Sequence, residues 1–373
     1  MVAVLAAPIF TPSIQKPRAA IAPSRLQIEG SRFVDPGKRT FEWRGITAFR
    51  LAEQIAHSHE QDAIAYLDWC ATNQMSVVRV LMMAHHLFQL QPGDGIKVLP
   101  RLLDLAAARG LHVEIVALAD TAAIKVDVEQ HVKAIGAIAA KHPNALVEMA
   151  NEPAHPTQDR RLHDPAFVRR LADLIPSQVP VALGSIEANA AYADGRYVTW
   201  HSPRSNAQDG WGHVLELRAG AELLARFQKP LISDEPIGAA EQFIPGRRDN
   251  DPKRFAAAAA LTRMAGLGAT FHYEGGLHAR PPSGRELACF GAWKRALEAL
   301  SDLPDGGEFV SGPLKAAVIP KQGARMAVSR IFDREAWIVA IDPTAGWKPK
   351  WSDGWGQDRS IVRDGVAVFR ARR

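Results

Sequence analysis

Short apolar runs alternate with stretches of helix length eight times along this chain, and no other feature constrains its fold so strongly. The predicted strands cover 41–49, 76–83, 112–118, 145–151, 179–183, 197–201, 230–235 and 269–273. Helical patterns follow near 61–73, 98–108, 126–141, 165–174, 211–227, 252–265 and 284–299, with a short fifth helix around 187–193. Runs such as VVRVL and VEIVAL are apolar on both alternating faces save for one charge each, as strands are when a parallel sheet is covered on both sides. Asp164-Pro165 and Asp251-Pro252 have the form of an N-cap followed by proline at the first helical position. Eight βα units over about 250 residues is the size of a (β/α)8 TIM barrel. An open doubly wound sheet would usually carry a glycine-rich phosphate loop after an early strand, and the sequence has neither a G-x-G-x-x-G nor a Walker pattern.

The 373 residues suffice for one such barrel, predicted over 26–303, and a small addition. Residues 1–25 are interrupted by Pro8, Pro12, Pro17 and Pro23 and read as an irregular lead-in. Segments 26–29 and 32–35 flank Gly30-Ser31, a two-residue hairpin signal. Beyond Pro304 the helical pattern stops. Short strands are predicted at 313–319, 325–331, 336–341 and 361–369, forming a β appendage over 304–373 that packs on the barrel.

Several functional classes are disfavoured. No run approaches the roughly 20 apolar residues that cross a bilayer, so no membrane partner is expected. The opening MVAVLAAPIF has no Lys or Arg ahead of it and is broken by Pro8, a poor secretion signal that leaves cytoplasmic and secreted locations both open. The net charge of +5 is spread over the chain without a stripe of basic and aromatic residues, so no nucleic acid partner is expected. Cys70 and Cys289 make neither a disulfide framework nor a zinc site by spacing, and are expected as two buried thiols on the first and last barrel helices.

Active sites of such barrels lie where the strands end at the C-terminal face. The fourth strand reads ALVEMANEP and ends in Asn151-Glu152-Pro153; the seventh reads PLISDEP and ends in Asp234-Glu235-Pro236. Two carboxylates are thereby expected across the barrel mouth. Glycoside hydrolysis needs such a pair, one to protonate the leaving oxygen and one to attack or stabilise the oxocarbenium-like carbon.

In these segments, and in RFVDPGKRTFEWRGITAF, VVRVLMM, HPNALVEMANEP and KPLISDEP, the chain resembles the clan A glycoside hydrolases, and most closely their cellulase-like family 5 branch. The likeness runs from about Leu26 to Ala299. It implies a retaining glycosidase that cleaves β-linked oligo- or polysaccharides by double displacement, without a cofactor or a metal. Glu152 matches the general acid/base and Glu235 the nucleophile. Asn151 matches the residue bonded to the sugar 2-hydroxyl, Arg79 the arginine beside the nucleophile, and His201 the histidine ending strand six. The carboxyl groups are then expected about 5 Å apart, the retaining separation. Three positions depart from the family pattern: Leu118 stands where a histidine usually ends strand three, His201-Ser202-Pro203 replaces H-x-Tyr, and His272-Tyr273-Glu274 ends strand eight without a tryptophan.

Other readings of these residues stay open at this level. Arg79 could be held by Glu148 or Glu114 in a structural ion pair. Trp200, Trp211 and Tyr273 could stack on sugar rings or simply pack, and Trp211 and Tyr273 are carried as candidate substrate contacts. His57-Ser58-His59 and His85-His86 raise a metal-dependent amidohydrolase-type barrel as the rival enzyme, although no lysine or histidine ends strand five. A transglycosidase, or a barrel that binds sugar without cutting it, are the remaining alternatives. The expected partner is a carbohydrate substrate, met by a single copy of the chain.

Overall fold

The computed structural model describes residues 22–86, 88–187, 189–201, 211–238, 250–311, 318–319 and 323–373. The lead-in up to 21, Ser202-Pro203 and 313–317 of the expected strand at 313–319 lie outside them. The predicted barrel is present. Its strands are Arg44–Thr47, Val77–Leu81, His112–Leu118, Ala145–Ala150, Val181–Ala182, Val198–His201, Leu231–Glu235 and Gly268–Phe271, all parallel, with the first beside the eighth. Strands five and six meet at a single parallel bridge between Ser185 and Thr199, which completes the ring. Strand five is two residues long, so closure there falls to this bridge and to the Ser185 hydroxyl, which accepts from the His201 backbone N–H at 3.0 Å.

Alternation along the strands sorts their side chains between the barrel interior and the helix layer. The floor of the interior is apolar: Trp43, Val77, Leu146, Tyr197 and Ile232 cluster there with Leu26 and Phe33 from the N-terminal segment. Phe33 belongs to the hairpin Gln27–Glu29 and Arg32–Val34, and its ring stacks 5.5 Å from Trp43. The hairpin thus plugs the N-terminal end, and the interior above this floor is polar.

Most helices form where the periodicity places them. Asp164 and Asp251 accept from Ala166 and Lys253 backbone N–H groups, caps that each contribute about 1 kcal/mol. Helix Pro252–Ala265 reads PKRFAAAAALTRMA and is buried nearly all round. Such a helix must be covered on every side; here the barrel, helix Gly284–Ala299 and the appendage cover it. The helix expected at 98–108 begins earlier, at Pro92, because Gly93, Gly95 and Pro100 obscure its pattern. The stretch expected as one helix over 211–227 is broken into Gly212–Glu216, a 3-10 turn Leu217–Ala219, and Gly220–Phe227, and the fifth helix is only a 3-10 turn, Ala190–Asp194. Helix Leu51–Ala56, after the first strand, was not expected.

The appendage is a five-stranded antiparallel sheet of Glu308–Ser311, Met326–Ile331, Glu335–Ile341, Val366–Arg372 and Gly356–Arg363, in that spatial order. The single strand expected at 361–369 is in fact two strands of a hairpin turning at Asp364-Gly365, both with positive φ, 51° and 73°. That Asp-Gly pair is a hairpin signal which its apolar flanks hid. Val328, Trp337, Val339, Ile341, Val366 and Val368 face the barrel core, whereas Ala336, Ile338, Ala340 and Phe369 form a second cluster on the other face. Cys70 and Cys289 are buried free thiols, and burial pushes the Cys70 thiol up, which keeps it unreactive. Among the described residues no helix is long and apolar enough to cross a membrane.

Candidate active site

Backbone geometry at the end of strand four sets Glu152 apart. The Asn151 N–H still donates to Leu118 O at 3.0 Å, but Glu152 has φ +45°, in the left-handed region. A non-glycine residue there costs on the order of 1–3 kcal/mol and persists only when its surroundings enforce it. The His155 N–H donates to Glu152 O at 2.8 Å, and the Gln158 side-chain amide donates to Asn151 O. Just after strand five, Gly184 (φ +130°) presses on this turn so closely that a Cβ would lie 2.5 Å from Ala150 O and 2.8 Å from Pro153. The chain thereby turns Glu152 away from the strand's alternation and into the mouth, where its side chain is 35% exposed.

Strand seven presents two consecutive acids to the interior. Regular alternation would point Asp234 and Glu235 to opposite faces. Its pairing with strand six slips at this point: Trp200 pairs with Ser233 and His201 with Glu235, leaving Asp234 as the extra residue of a β-bulge. Bulges re-aim side chains in this way, and both carboxylates reach Arg79. Downstream, Gly238 (φ +104°) lies against His272 O, where a Cβ would come within 2.2 Å, so the strand-seven loop is held on the end of strand eight.

Arg79 is the hub. Its guanidinium, 1% exposed, donates from Nε to Glu148 at 2.8 Å, from Nη1 to Glu235 at 2.7 Å and from Nη2 to Asn151 Oδ1 at 2.9 Å, with Asp234 3.4 Å away. The two open readings of Arg79, partner of the strand-seven glutamate and partner of Glu148, therefore hold together; the direct bond is to Glu148 and not to Glu114. Below it, Glu148 accepts from Thr199 at 3.2 Å and Glu114 from Tyr197 at 2.9 Å. The Phe49 ring lies 5.3 Å from the guanidinium.

His201, 2% exposed, stands between the two mouth carboxylates. Its Nδ1 lies 3.5 Å from Glu152 Oε1, and its Nε2 lies 3.7 Å from Glu235 and 3.4 Å from Asp234. On the other side of Glu235, His272 Nε2 is 3.7 Å away, its Nδ1 fixed by the Thr47 hydroxyl at 2.8 Å. One imidazole ring thus touches both glutamates while Arg79 anchors one of them.

Burial and charge divide the protons unevenly. Burial raises Glu114 well above the usual carboxylate range, reinforced by Glu148, and burial also raises Glu148 against the pull of Arg79. For Asp234 burial is outweighed by His201 and Arg79, and its carboxyl is held low. Burial alone would lower His201, but Glu235 and Asp234 push it well above the ordinary imidazole value. Glu152 is likewise held below the carboxylate range, burial losing to the contact and charge of His201. The Glu152–His201 pair therefore holds a proton whose resting place is the imidazole.

Two expected substrate contacts are placed elsewhere. Tyr273 points outward, because alternation along strand eight turns His272 to the interior. It is 2% exposed, and its hydroxyl meets the Tyr66 hydroxyl at 3.0 Å and donates to Arg280 O. Trp211 is 7% exposed and carries the Arg325 guanidinium 5.0 Å over its ring, so it fastens the appendage rather than offering a sugar a face. Trp200 is buried in the helix layer against Gly220. His57 and His59 sit between two helices, with Glu53 and Asp62 as neighbours, and His86 lies beside Asp120. Among the described residues, the groups close enough to share a cation are Glu148, His201 and Asp234, and Glu152, Glu187 and His201. Arg79 already supplies positive charge to the first. Sequence reasoning missed the role of Asp234, whose signal was the adjacent acid pair, and the nearness of Glu187 to Glu152.

No family model matches the sequence, and no curated protein matches it. The fold is shared with solved structures. A glycoside hydrolase family 5 protein from Bacteroides vulgatus superposes with a TM-score of 0.62 at 12% identity, over 95% of this chain and 95% of its own, a share that takes in the appendage. A β-glucanase from Saccharophagus degradans, solved with cellotetraose, gives 0.54 at 13% identity over 77% of this chain and 98% of its own. A GH5_18 protein from Streptomyces cattleya, solved with GlcNAc, gives 0.53 at 15% over 72% and 82%. The resemblance read from the sequence is reproduced in three dimensions, and what these proteins share with the chain is the (β/α)8 fold.

Proposed function

We propose that this chain is a retaining glycoside hydrolase acting on β-linked oligo- or polysaccharides, with Glu235 as nucleophile and Glu152 as general acid/base. The observation that carries the reading is Arg79 Nη1 at 2.7 Å from Glu235, with His201 spanning Glu235 and Glu152. A guanidinium contact keeps a carboxylate charged and oriented for attack on the anomeric carbon. Asn151, fixed on the same guanidinium, is placed to meet the sugar 2-hydroxyl, where a bond strengthens as charge develops. The sugars present in two of the similar structures, cellotetraose and GlcNAc, support a carbohydrate substrate.

The proton economy follows from the pair. Substrate covers the exposed part of Glu152, and desolvation then favours its neutral form. The proton passes from His201 Nδ1 to Glu152 Oε1 and on to the leaving oxygen. In the second step Glu152 takes a proton from water, which attacks the glycosyl–Glu235 ester and releases the sugar with retained configuration. A panel of aryl β-glycosides, β-glucans and β-mannans tests the reading; cleavage of one of them with retained anomeric configuration is the expected result, and inversion would overturn the mechanism.

Asp234 tunes this pair. Its charge raises the proton affinity of His201, so the imidazolium is fully present below the ordinary histidine value of about 6.5 and is lost as pH rises through the elevated folded value. In Asp234→Asn the basic limb of the activity profile is expected at lower pH than in the wild type. An unmoved limb would mean that the proton is held elsewhere. Since Arg79 occupies the buried acidic cluster, activity is also expected to survive exhaustive EDTA; loss restored by zinc or manganese would favour the amidohydrolase-type alternative.

A further inference from the structure

At the opposite, N-terminal end of the barrel, where the appendage sheet meets helix Pro252–Ala265, one buried arginine makes no ion pair among the described residues. Arg330 lies on the barrel-facing side of strand Met326–Ile331 and is 6% exposed. Among the described residues its guanidinium has neither a hydrogen bond nor an ion pair, and its Nε is buried without a partner. It rests on Gly266, where a Cβ would come 2.9 Å from Nη2. Burial and the neighbouring Arg263 lower its pKa to about 10, against the pull of Asp305.

The guanidinium borders a cavity of about 390 Å³, with Ser31, Arg32, Asp305 and Gly307 also on its wall. A second cavity of about 300 Å³ shares Ser31, Arg32, Gly266 and Asp305 and is lined by Arg263. Arg32, Arg263 and Arg330 thus stand around Asp305, with Glu222 also on the wall of the first cavity and Glu42, paired with Arg44, on that of the second. Asp305 is already engaged by Thr40 at 2.7 Å, Arg32 at 3.4 Å and Arg263 at 3.9 Å, while Arg263 donates to Leu303 O and keeps its own Nε unpaired. A buried unpaired cation is costly. The C-terminal end of helix Pro252–Ala265 offers partial compensation through its dipole, but no hydrogen bond.

We infer that this junction is an oxyanion-binding site, in which the free fork of Arg330, assisted by Arg32 and Arg263, takes a phosphate, a sulfate or the carboxylate of a small acidic sugar. The planar donor set of arginine fits two oxygens of such a group at once. The cavity is roomier than a single phosphate needs, which leaves space for a small molecule bearing the anion. The site lies at the far end of the barrel from Glu152 and Glu235 and does not depend on the proposed chemistry. A ligand there would lock barrel and appendage together.

The test is thermal unfolding of the full chain at constant ionic strength, with inorganic phosphate, sulfate, glucuronate, or neutral glucose as control. The wild type is expected to gain roughly 2–4 °C in phosphate or glucuronate and nothing in glucose, and the larger of the two gains identifies the source of the anion. In Arg330→Met the gain is expected to vanish, while the melting temperature in anion-free buffer rises because an unpaired buried charge is gone. Arg32→Gln, at a half-exposed position, is expected to weaken the response at least about threefold. No anion response in the wild type, a response that survives Arg330→Met, or an Arg330→Met protein destabilised in every buffer would each overturn the site.

Discussion

Glu235→Ala is expected to lose activity by on the order of 10⁴-fold or more, at least about 5.4 kcal/mol of transition-state stabilisation, because the whole covalent route disappears. Glu152→Ala is expected to behave differently. An aryl glycoside with a good leaving group hardly needs protonation, so this variant retains much of the first step and accumulates glycosyl-enzyme. Azide then distinguishes the two roles by stereochemistry. With Glu152→Ala it attacks the glycosyl-enzyme and gives a β-glycosyl azide; with Glu235→Ala it fills the nucleophile's space and gives the α anomer. Exchange of these products would exchange the assignments. Wild-type activity in both variants would move the site elsewhere.

Arg79→Met carries the second large effect, on fold and chemistry together. The side chain is 1% exposed and is the shared cation of Glu148, Asp234 and Glu235, with Asn151 on the same group. Removing one partner of a buried ion pair costs about 3–5 kcal/mol, since the remaining charge stays buried and uncompensated. For a chain of this size that lowers the melting temperature by roughly 4–6 °C. The folded fraction is expected to lose at least about 100-fold in kcat/KM, about 2.7 kcal/mol, because Glu235 is no longer held charged and in place. Circular dichroism melts with activity corrected for the folded fraction check both effects. Near-normal turnover in the folded fraction would leave Arg79 a structural residue alone.

Much of this was legible in the sequence because barrels repeat one physical unit. Each strand is covered on both faces and shows as an apolar run, and each helix start at Asp164 or Asp251 carries its own cap. The strand endings could be read for the same reason, which put Glu152, Glu235, Asn151, Arg79 and His201 on one face of the barrel. What escaped notice was set by departures from regularity. The bulge between Trp200 and His201 brings Asp234 inward, and no periodicity announces it. Tyr273 was misplaced by one residue of alternation, and Trp211 by an appendage arginine far away in the chain. Charge partition also lay beyond the sequence, because it is the nearby His201 that holds Glu152 low. Helix Leu51–Ala56 and the Asp364-Gly365 hairpin were hidden by short length and by apolar flanks.

Covalent trapping tests the central claim most directly. A 2-deoxy-2-fluoro β-glycoside of whichever sugar the enzyme accepts, with a good leaving group, slows both steps and lets the glycosyl-enzyme accumulate. Peptide mapping by mass spectrometry with backbone fragmentation then locates the added sugar, and its resolution separates the adjacent residues of Ile232-Ser233-Asp234-Glu235. The account predicts stoichiometric label on Glu235, released on addition of a sugar acceptor. Label on Asp234 or Glu152, or time-dependent turnover of the trap with inverted product and no covalent adduct, would contradict it.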